Sequence, residues 1–167
     1  MPDYSLSVYL PRAVAMGIGA TIAMDAWNLF LKRALGIPSL NYCLLGRWLS
    51  HMPAGRFRHS SIASSEPKPF ECQVGWTAHY SIGITFAVIF VLLAPGEWLA
   101  TPSVLPALFY GIATVVIPFF VMQPALGLGI AGSKTPKPAQ ARLKSLATHT
   151  VFGLGLYAAA AGIGYAL

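Results

Sequence analysis

Four long apolar runs dominate the chain, at about 13–31, 74–94, 103–123 and 145–167. Each is close to the length of about 20 residues that a helix needs to cross a bilayer. None alternates polar and apolar side chains with a period of two, as the strands of a membrane barrel would. The pattern predicts an all-α, polytopic membrane fold: one four-helix transmembrane domain over 1–167. In the third run Pro106 falls in the first turn, where proline is tolerated, whereas Pro118 falls in the interior and predicts a kink. The one sizeable connection, 32–73, is too long for a plain connector. Its middle, 39–52, sets Tyr42, Leu45, Leu49 and Met52 at helical spacing beside Arg47 and Trp48, with Ser39 as the candidate N-cap. This predicts a short interfacial helix on the membrane surface, or equally a helix packed over the bundle mouth. From Pro53 to Pro69 the chain is polar and reads as irregular.

Composition supports the membrane reading. The 167 residues are 56% hydrophobic and only 10% charged, against about 25% charged in a soluble domain. That is too little charge to clothe a water-exposed surface. Ordinary soluble enzymes, disordered chains and disulfide scaffolds are excluded.

Charge then orients the helices. Lys32, Arg33, Arg47, Arg56, Arg58 and Lys68 lie in the first connection, and Lys134, Lys137, Arg142 and Lys144 precede or open the fourth run; only Arg12 lies elsewhere. The connection between the second and third runs has Glu97 and no base. By the positive-inside rule both basic segments are cytoplasmic and both termini periplasmic, in a multi-pass protein of the inner (cytoplasmic) cell membrane. Trp27 and Trp76 then sit near the inner interface, and Tyr9, Trp98 and Tyr165 near the outer. Asp3 at the start and the lack of a small-residue cleavage site argue against a signal peptide, so the first run is expected as a retained helix. The expected partners are the lipid bilayer and a membrane protein or second copy. Nucleic acid is not expected, since there is no basic face on a soluble domain. Cys43 and Cys72 fall in the loop expected on the reducing side, which predicts no structural disulfide. His51 and His59, eight residues apart in the polar stretch, have poor zinc spacing and are expected at the surface.

Ionisable residues within a span are costly and are functional candidates by default. Three stand out: Asp25, His79 and His149. At a rise of about 1.5 Å per residue they lie roughly 7–9 Å inside the inner ends of their spans. Asn28 shares a face with Asp25, and Gln123 ends the third run, so five polar side chains from four helices are expected in one layer. Small residues bracket the histidines as Gly75-x3-His79-x3-Gly83 and Ser145-x3-His149-x3-Gly153. This is small-xxx-small spacing, which turns the histidines toward neighbouring helices. Asp25, His79 and His149 suit a metal ion. The two histidines also suit axial ligation of haem b, with the glycines making room for the ring. Proton relay is a third chemistry. The plain alternative is a hydrogen-bonded plug that fixes helix register.

The second and fourth runs share an x-His-x-x-x-Gly pattern, and the first and third a Gly-Ile-(Gly)-Ala-Thr pattern, a hint of two parallel repeats. No GxSxG elbow, P-loop or HExxH occurs, and Gly17-Ile-Gly19 lies inside an apolar helix with no preceding strand. Gly127 to Gly132 reads as a flexible exit from the third run. The residues favour no catalytic role.

Four segments carry a family resemblance: Gly19-Ala-Thr-Ile-Ala-Met-Asp25, Gly75-Trp-Thr-Ala-His-Tyr80, Met122-Gln-Pro-Ala-Leu-Gly-Leu-Gly129 and His149-Thr-Val-Phe-Gly153. Through them nearly the whole chain resembles DUF2938, a family of small bacterial membrane proteins catalogued as a domain of unknown function. The resemblance implies a four-helix inner-membrane protein and supplies no reaction. Three roles stay open: a ligand site at Asp25, Asn28, His79, His149 and Gln123; an accessory or structural subunit of a larger membrane complex; and a small transporter or proton-coupled carrier, which would need a dimer.

Overall fold

A computed structural model describes residues 6–95 and 97–165. The terminal residues, Asp3 among them, lie outside the described part. The elements are α1 (Leu6–Leu35), α2 (Tyr42–His51), α3 (Glu71–Leu93), α4 (Val104–Ala113), a π-helical turn at Pro118–Met122, the short α5 (Gln123–Ala125) and α6 (Pro138–Tyr165). Among the described residues there is no strand. Four stretches are long and apolar enough to cross a membrane: Tyr9–Leu35, Glu71–Leu93, Val104–Ala125 and Pro138–Ile163. The chain is an all-helical, multi-pass membrane protein.

The helices outrun the apolar runs that announce them. α1 continues four residues past Leu31, because Lys32 and Arg33 suit the negative end of a helix dipole. Gly36, at φ 64, turns the chain out of it. α6 starts at Pro138, a residue favoured at a helix's first position. The kink expected at Pro118 is a break: α4 ends at Ala113, and Pro118 opens a π turn closed by the Gln123 N–H on its own carbonyl. A proline has no N–H to continue an α ladder.

The chain forms two compact units. Unit 1 comprises Met1–Pro38, Tyr80–Ala113 and Thr148–Leu167. Its helices meet at small residues. A Cβ on Gly111 would collide with the Gly153 backbone, one on Gly155 would come within 2.8 Å of the Ala20 Cα, and one on Gly17 within 2.9 Å of the Gly83 carbonyl. Without hydrophobic drive between helices in lipid, such close backbone approach supplies the packing energy. Around these contacts Met16, Ala20, Ala87, Ala107, Phe152 and Leu156 form the core. At one end of it Phe90 packs edge-on against Trp98, whose Nε1 donates to the Ser103 carbonyl at 3.1 Å.

Unit 2 comprises Ser39–His79 and Thr114–Ala147. α2 is capped by Asn41, whose side chain accepts from the Cys43 N–H at 3.0 Å, so Ser39 is not the cap. The helix packs against the first turns of α3. A Cβ on Gly46 would land on the Glu71 carbonyl, and one on Gly75 on the Tyr42 carbonyl. Cys43 and Cys72 are joined in a disulfide. This corrects the expectation of unpaired thiols, which rested on compartment and overlooked that the α2–α3 crossing brings the two side chains together.

The stretch after Pro53 has no regular helix or strand beyond the turn at Met52–Ala54, as expected, yet it is tied in place. The His59 N–H donates to the Ala125 carbonyl at 2.9 Å and the Ile62 N–H to the Leu126 carbonyl at 3.1 Å, while Ile62 is buried. Nor is 127–132 a loose exit. Gly127, at φ 88, lies against the carbonyls of His59 and Ser60. Lys134 N–H and Arg142 Nε then tie the segment down through the Leu128 and Ala131 carbonyls.

Candidate functional site

In unit 1 the polar stripe of α1 faces inward as its spacing predicts. Thr21 is fully buried and returns its hydroxyl to the Gly17 carbonyl at 2.7 Å. One turn on, the Asp25 carboxylate accepts a hydrogen bond from the Tyr80 hydroxyl of α3 at 3.1 Å. Asn28, another turn on, is buried. From α6, His149 hydrogen-bonds the backbone of Gly111 on α4. Its neighbour Thr148 is buried with no partner for its hydroxyl.

In unit 2, His79 lies nearly parallel to the Tyr42 ring, with centroids 4.0 Å apart, and Trp76 stands 5.9 Å away at an edge-on angle. Gln123 is buried; its Nε2 donates to the Ser145 hydroxyl at 3.4 Å and its Oε1 has no partner. Asp25, Asn28 and His149 belong to unit 1, and His79 and Gln123 to unit 2.

Two cofactor chemistries can be tested against these surroundings. Among the described residues no three His, Cys, Asp or Glu side chains are gathered so as to hold a metal ion. The metal reading of Asp25, His79 and His149 therefore gains no support. For haem, the glycines beside the histidines would have to leave space. Instead Gly75 is filled by Tyr42, Gly83 by the Thr21 side chain, and Gly153 by the Ala107 carbonyl at 2.6 Å from where its Cβ would stand. The residues present do not fit a porphyrin there.

One densely bonded side chain is not singled out by hydropathy. Arg47 pairs with Glu71 through Nε and Nη2, each at 2.8 Å. Its Nη1 reaches the carbonyls of Ile62, Ala63 and Ser65 at 3.4, 3.2 and 3.1 Å. The hydrogen bond to Glu71 holds the guanidinium pKa above its ordinary value. Near it His51, expected at the surface, is 2% exposed and bonded to the Glu66 carbonyl at 3.0 Å. His59 pairs with the Ser65 hydroxyl at 2.9 Å, and its ring meets that of His51 edge-on at 5.1 Å. Arg47 stood inside an otherwise apolar helical pattern, which was the available signal. Tyr80, directly after His79, was the missed partner of Asp25.

Charge divides sharply between the units. Unit 1 has Arg12, Lys32 and Arg33 against Asp3, Asp25 and Glu97, and is neutral. Unit 2 has Arg47, Arg56, Arg58, Lys68, Lys134, Lys137, Arg142 and Lys144 against Glu66 and Glu71, and so holds the whole net charge of +6. Both its acids are paired, Glu71 with Arg47 and Glu66 with Lys68 at 3.0 Å.

The sequence model of a family described as a protein of unknown function (DUF2938) matches residues 14–163. No curated protein and no solved structure matches the chain.

Proposed function

Starting from a chain that belongs to the DUF2938 family, whose function is unknown, we propose that it is an accessory subunit of a larger membrane assembly. Unit 1 is the anchor, and unit 2 engages an acidic face of a neighbouring membrane protein. The observation that carries this reading is the concentration of the whole +6 charge in a unit whose loops are tied in place. A topology signal requires basic residues but not an ordered scaffold beneath them. Here Arg47 fixes three loop carbonyls, and 59–62 is bonded to 125–126. Arg56, Arg58, Lys134 and Lys137 stand exposed on that scaffold. Backbone-to-backbone packing in unit 1 supports an anchor better than a transport path.

The test is extraction from the native membrane with the surrounding lipid retained, followed by native mass measurement. The wild type is expected in a complex larger than its own 17.8 kDa, and joint Arg56→Glu, Arg58→Glu, Lys134→Glu and Lys137→Glu substitution is expected to release it with unchanged helix content. A lone wild-type chain, or a complex indifferent to the charge reversal, refutes the proposal.

A second reading, a small-ligand site, draws on Asp25, a carboxylate inside a span held by Tyr80. Within the same unit it takes in Asn28 and His149; the sequence expectation also names His79 and Gln123. An amine or other hydrogen-bond donor suits the carboxylate. Binding that survives Asp25→Asn, His79→Ala and His149→Ala would sink it.

A further inference from the structure

The disulfide sits where charge distribution argues against one. Unit 2 has the basic excess that the positive-inside rule assigns to the cytoplasmic side, and that side keeps thiols reduced. Yet Cys43 and Cys72 are bonded. We propose that they form a reversible dithiol–disulfide pair that exchanges with low-molecular-weight thiols of the glutathione type and, when oxidised, locks α2 onto the first turn of α3.

Three features favour exchange over a permanent bond. Cys72 is an exposed residue while Cys43 is partly covered, so an external thiol approaches from the Cys72 side and Cys43 resolves the intermediate. Each cysteine is the second residue of its helix, where the positive end of the dipole favours an anion and hence the attacking thiolate. Finally, the contacts that align the sulfurs do not depend on the bond. Gly46 sits against Glu71, Gly75 against Tyr42, and Arg47 grips Glu71 with two 2.8 Å bonds. The reduced pair stays adjacent, so closure is intramolecular and outcompetes attack by a second external thiol.

The chemistry balances as two successive exchanges. The Cys72 thiolate attacks a disulfide RS–SR, forming Cys72–S–SR and releasing one RS–. The Cys43 thiolate then attacks the Cys72 sulfur and releases the second RS–. The two protein thiols lose two electrons and two protons, and RS–SR becomes two RSH. Reduction is the reverse sequence. The closed ring, 43–72, contains Arg47, Arg56, Arg58 and both loop histidines. The consequence for docking rests on the accessory-subunit reading; the thiol chemistry does not.

The experiment takes the full chain in lipid nanodiscs, equilibrates it with defined mixtures of reduced and oxidised glutathione, quenches with acid and labels free thiols with a mass-tagged maleimide. The expected wild-type result is a shift between no label and two labels, with both thiols changing together. Cys43→Ser should instead trap glutathione on Cys72, read by intact mass. A bond that survives a large excess of reduced glutathione, or two thiols that titrate independently, overturns the proposal. In intact cells a membrane-impermeant maleimide, applied after a brief permeant reductant, should leave both thiols unlabelled. Labelling from outside would place the pair in an oxidising compartment and overturn it as well. Failure of these thiol measurements leaves the accessory-subunit reading standing, since that is tested separately by native mass.

Discussion

Replacing Gly46 by alanine adds one methyl group at the crossing of α2 and α3. The new Cβ would fall on the Glu71 carbonyl oxygen and 2.6 Å from the Gly75 nitrogen. Non-bonded heavy atoms rest at about 3.5 Å or more, so α2 has to retreat from α3 by about 2 Å. Overpacking of this kind costs about 1–3 kcal/mol. The same retreat stretches the two 2.8 Å Arg47–Glu71 bonds past the range in which they are strong, about 3.2 Å. Helix propensity alone predicts the opposite sign, since alanine is favoured over glycine by about 1 kcal/mol in a helix interior. The assay is amide hydrogen exchange over 44–51 together with the yield of the Cys43–Cys72 bond after mild oxidation. Exchange is expected to quicken roughly 5- to 150-fold, the equivalent of about 1–3 kcal/mol, and disulfide yield to fall. Gly162→Ala in α6 is the control, because nothing lies within 4 Å of its added Cβ. Unchanged or slower exchange in Gly46→Ala, with the bond forming normally, would refute the crossing geometry.

Other perturbations separate the remaining contacts. Tyr80→Phe removes the hydroxyl that Asp25 accepts and should lower thermal stability in detergent by about 0.6 kcal/mol, at most about 1.7, as interhelical bonds in lipid do. Arg47→Ala frees the carbonyls of Ile62, Ala63 and Ser65. It should weaken the loop by about 1.5–3 kcal/mol, the scale of a charged hydrogen bond, and trypsin cleavage after Arg56 and Arg58 should accelerate accordingly. Cys43→Ser opens a ring whose cysteines are 29 positions apart, which on the chain-entropy estimate costs about 3–4 kcal/mol and is read by hydrogen exchange across 52–70. Gly127→Ala forces a side chain onto φ 88 and into the His59 and Ser60 carbonyls. The predicted loss is about 1–3 kcal/mol, seen as faster exchange at the His59 and Ile62 amides.

The four spans were legible because long apolar runs report burial in lipid directly. Their ends were not, since Lys32 and Arg33 or Pro138 are polar or rigid and still compatible with a helix end. The inward face of α1 was legible too: Gly17, Thr21, Asp25 and Asn28 follow helical spacing, and three of the four are buried. Individual partners were not legible: that the Tyr80 hydroxyl donates to Asp25, and that His149 bonds the Gly111 backbone, follows from no spacing in the sequence. Depth fixes one coordinate; rotation about each helix axis fixes the rest. The order in 53–69 was invisible for a different reason. It comes from Arg47 reaching 15 to 18 positions ahead and from His59 pairing with Ala125, and local composition holds no trace of such pairings. The disulfide was missed because a rule about compartments displaced the question of which side chains the α2–α3 crossing brings together.

The tie between 59–62 and 125–126 also sets a timetable for synthesis. When α2 and the stretch that follows it have left the ribosome, the carbonyls that will receive the His59 and Ile62 amides do not yet exist. They arrive only after the third span, Val104–Ala125, has been made. Until then the His59 and Ile62 amides, in a segment carrying Arg56 and Arg58, lack those two carbonyls. A ribosome stalled before residue 125 would thus display a protease-sensitive loop, giving the cell a local mark by which an unfinished chain can be told from a finished one.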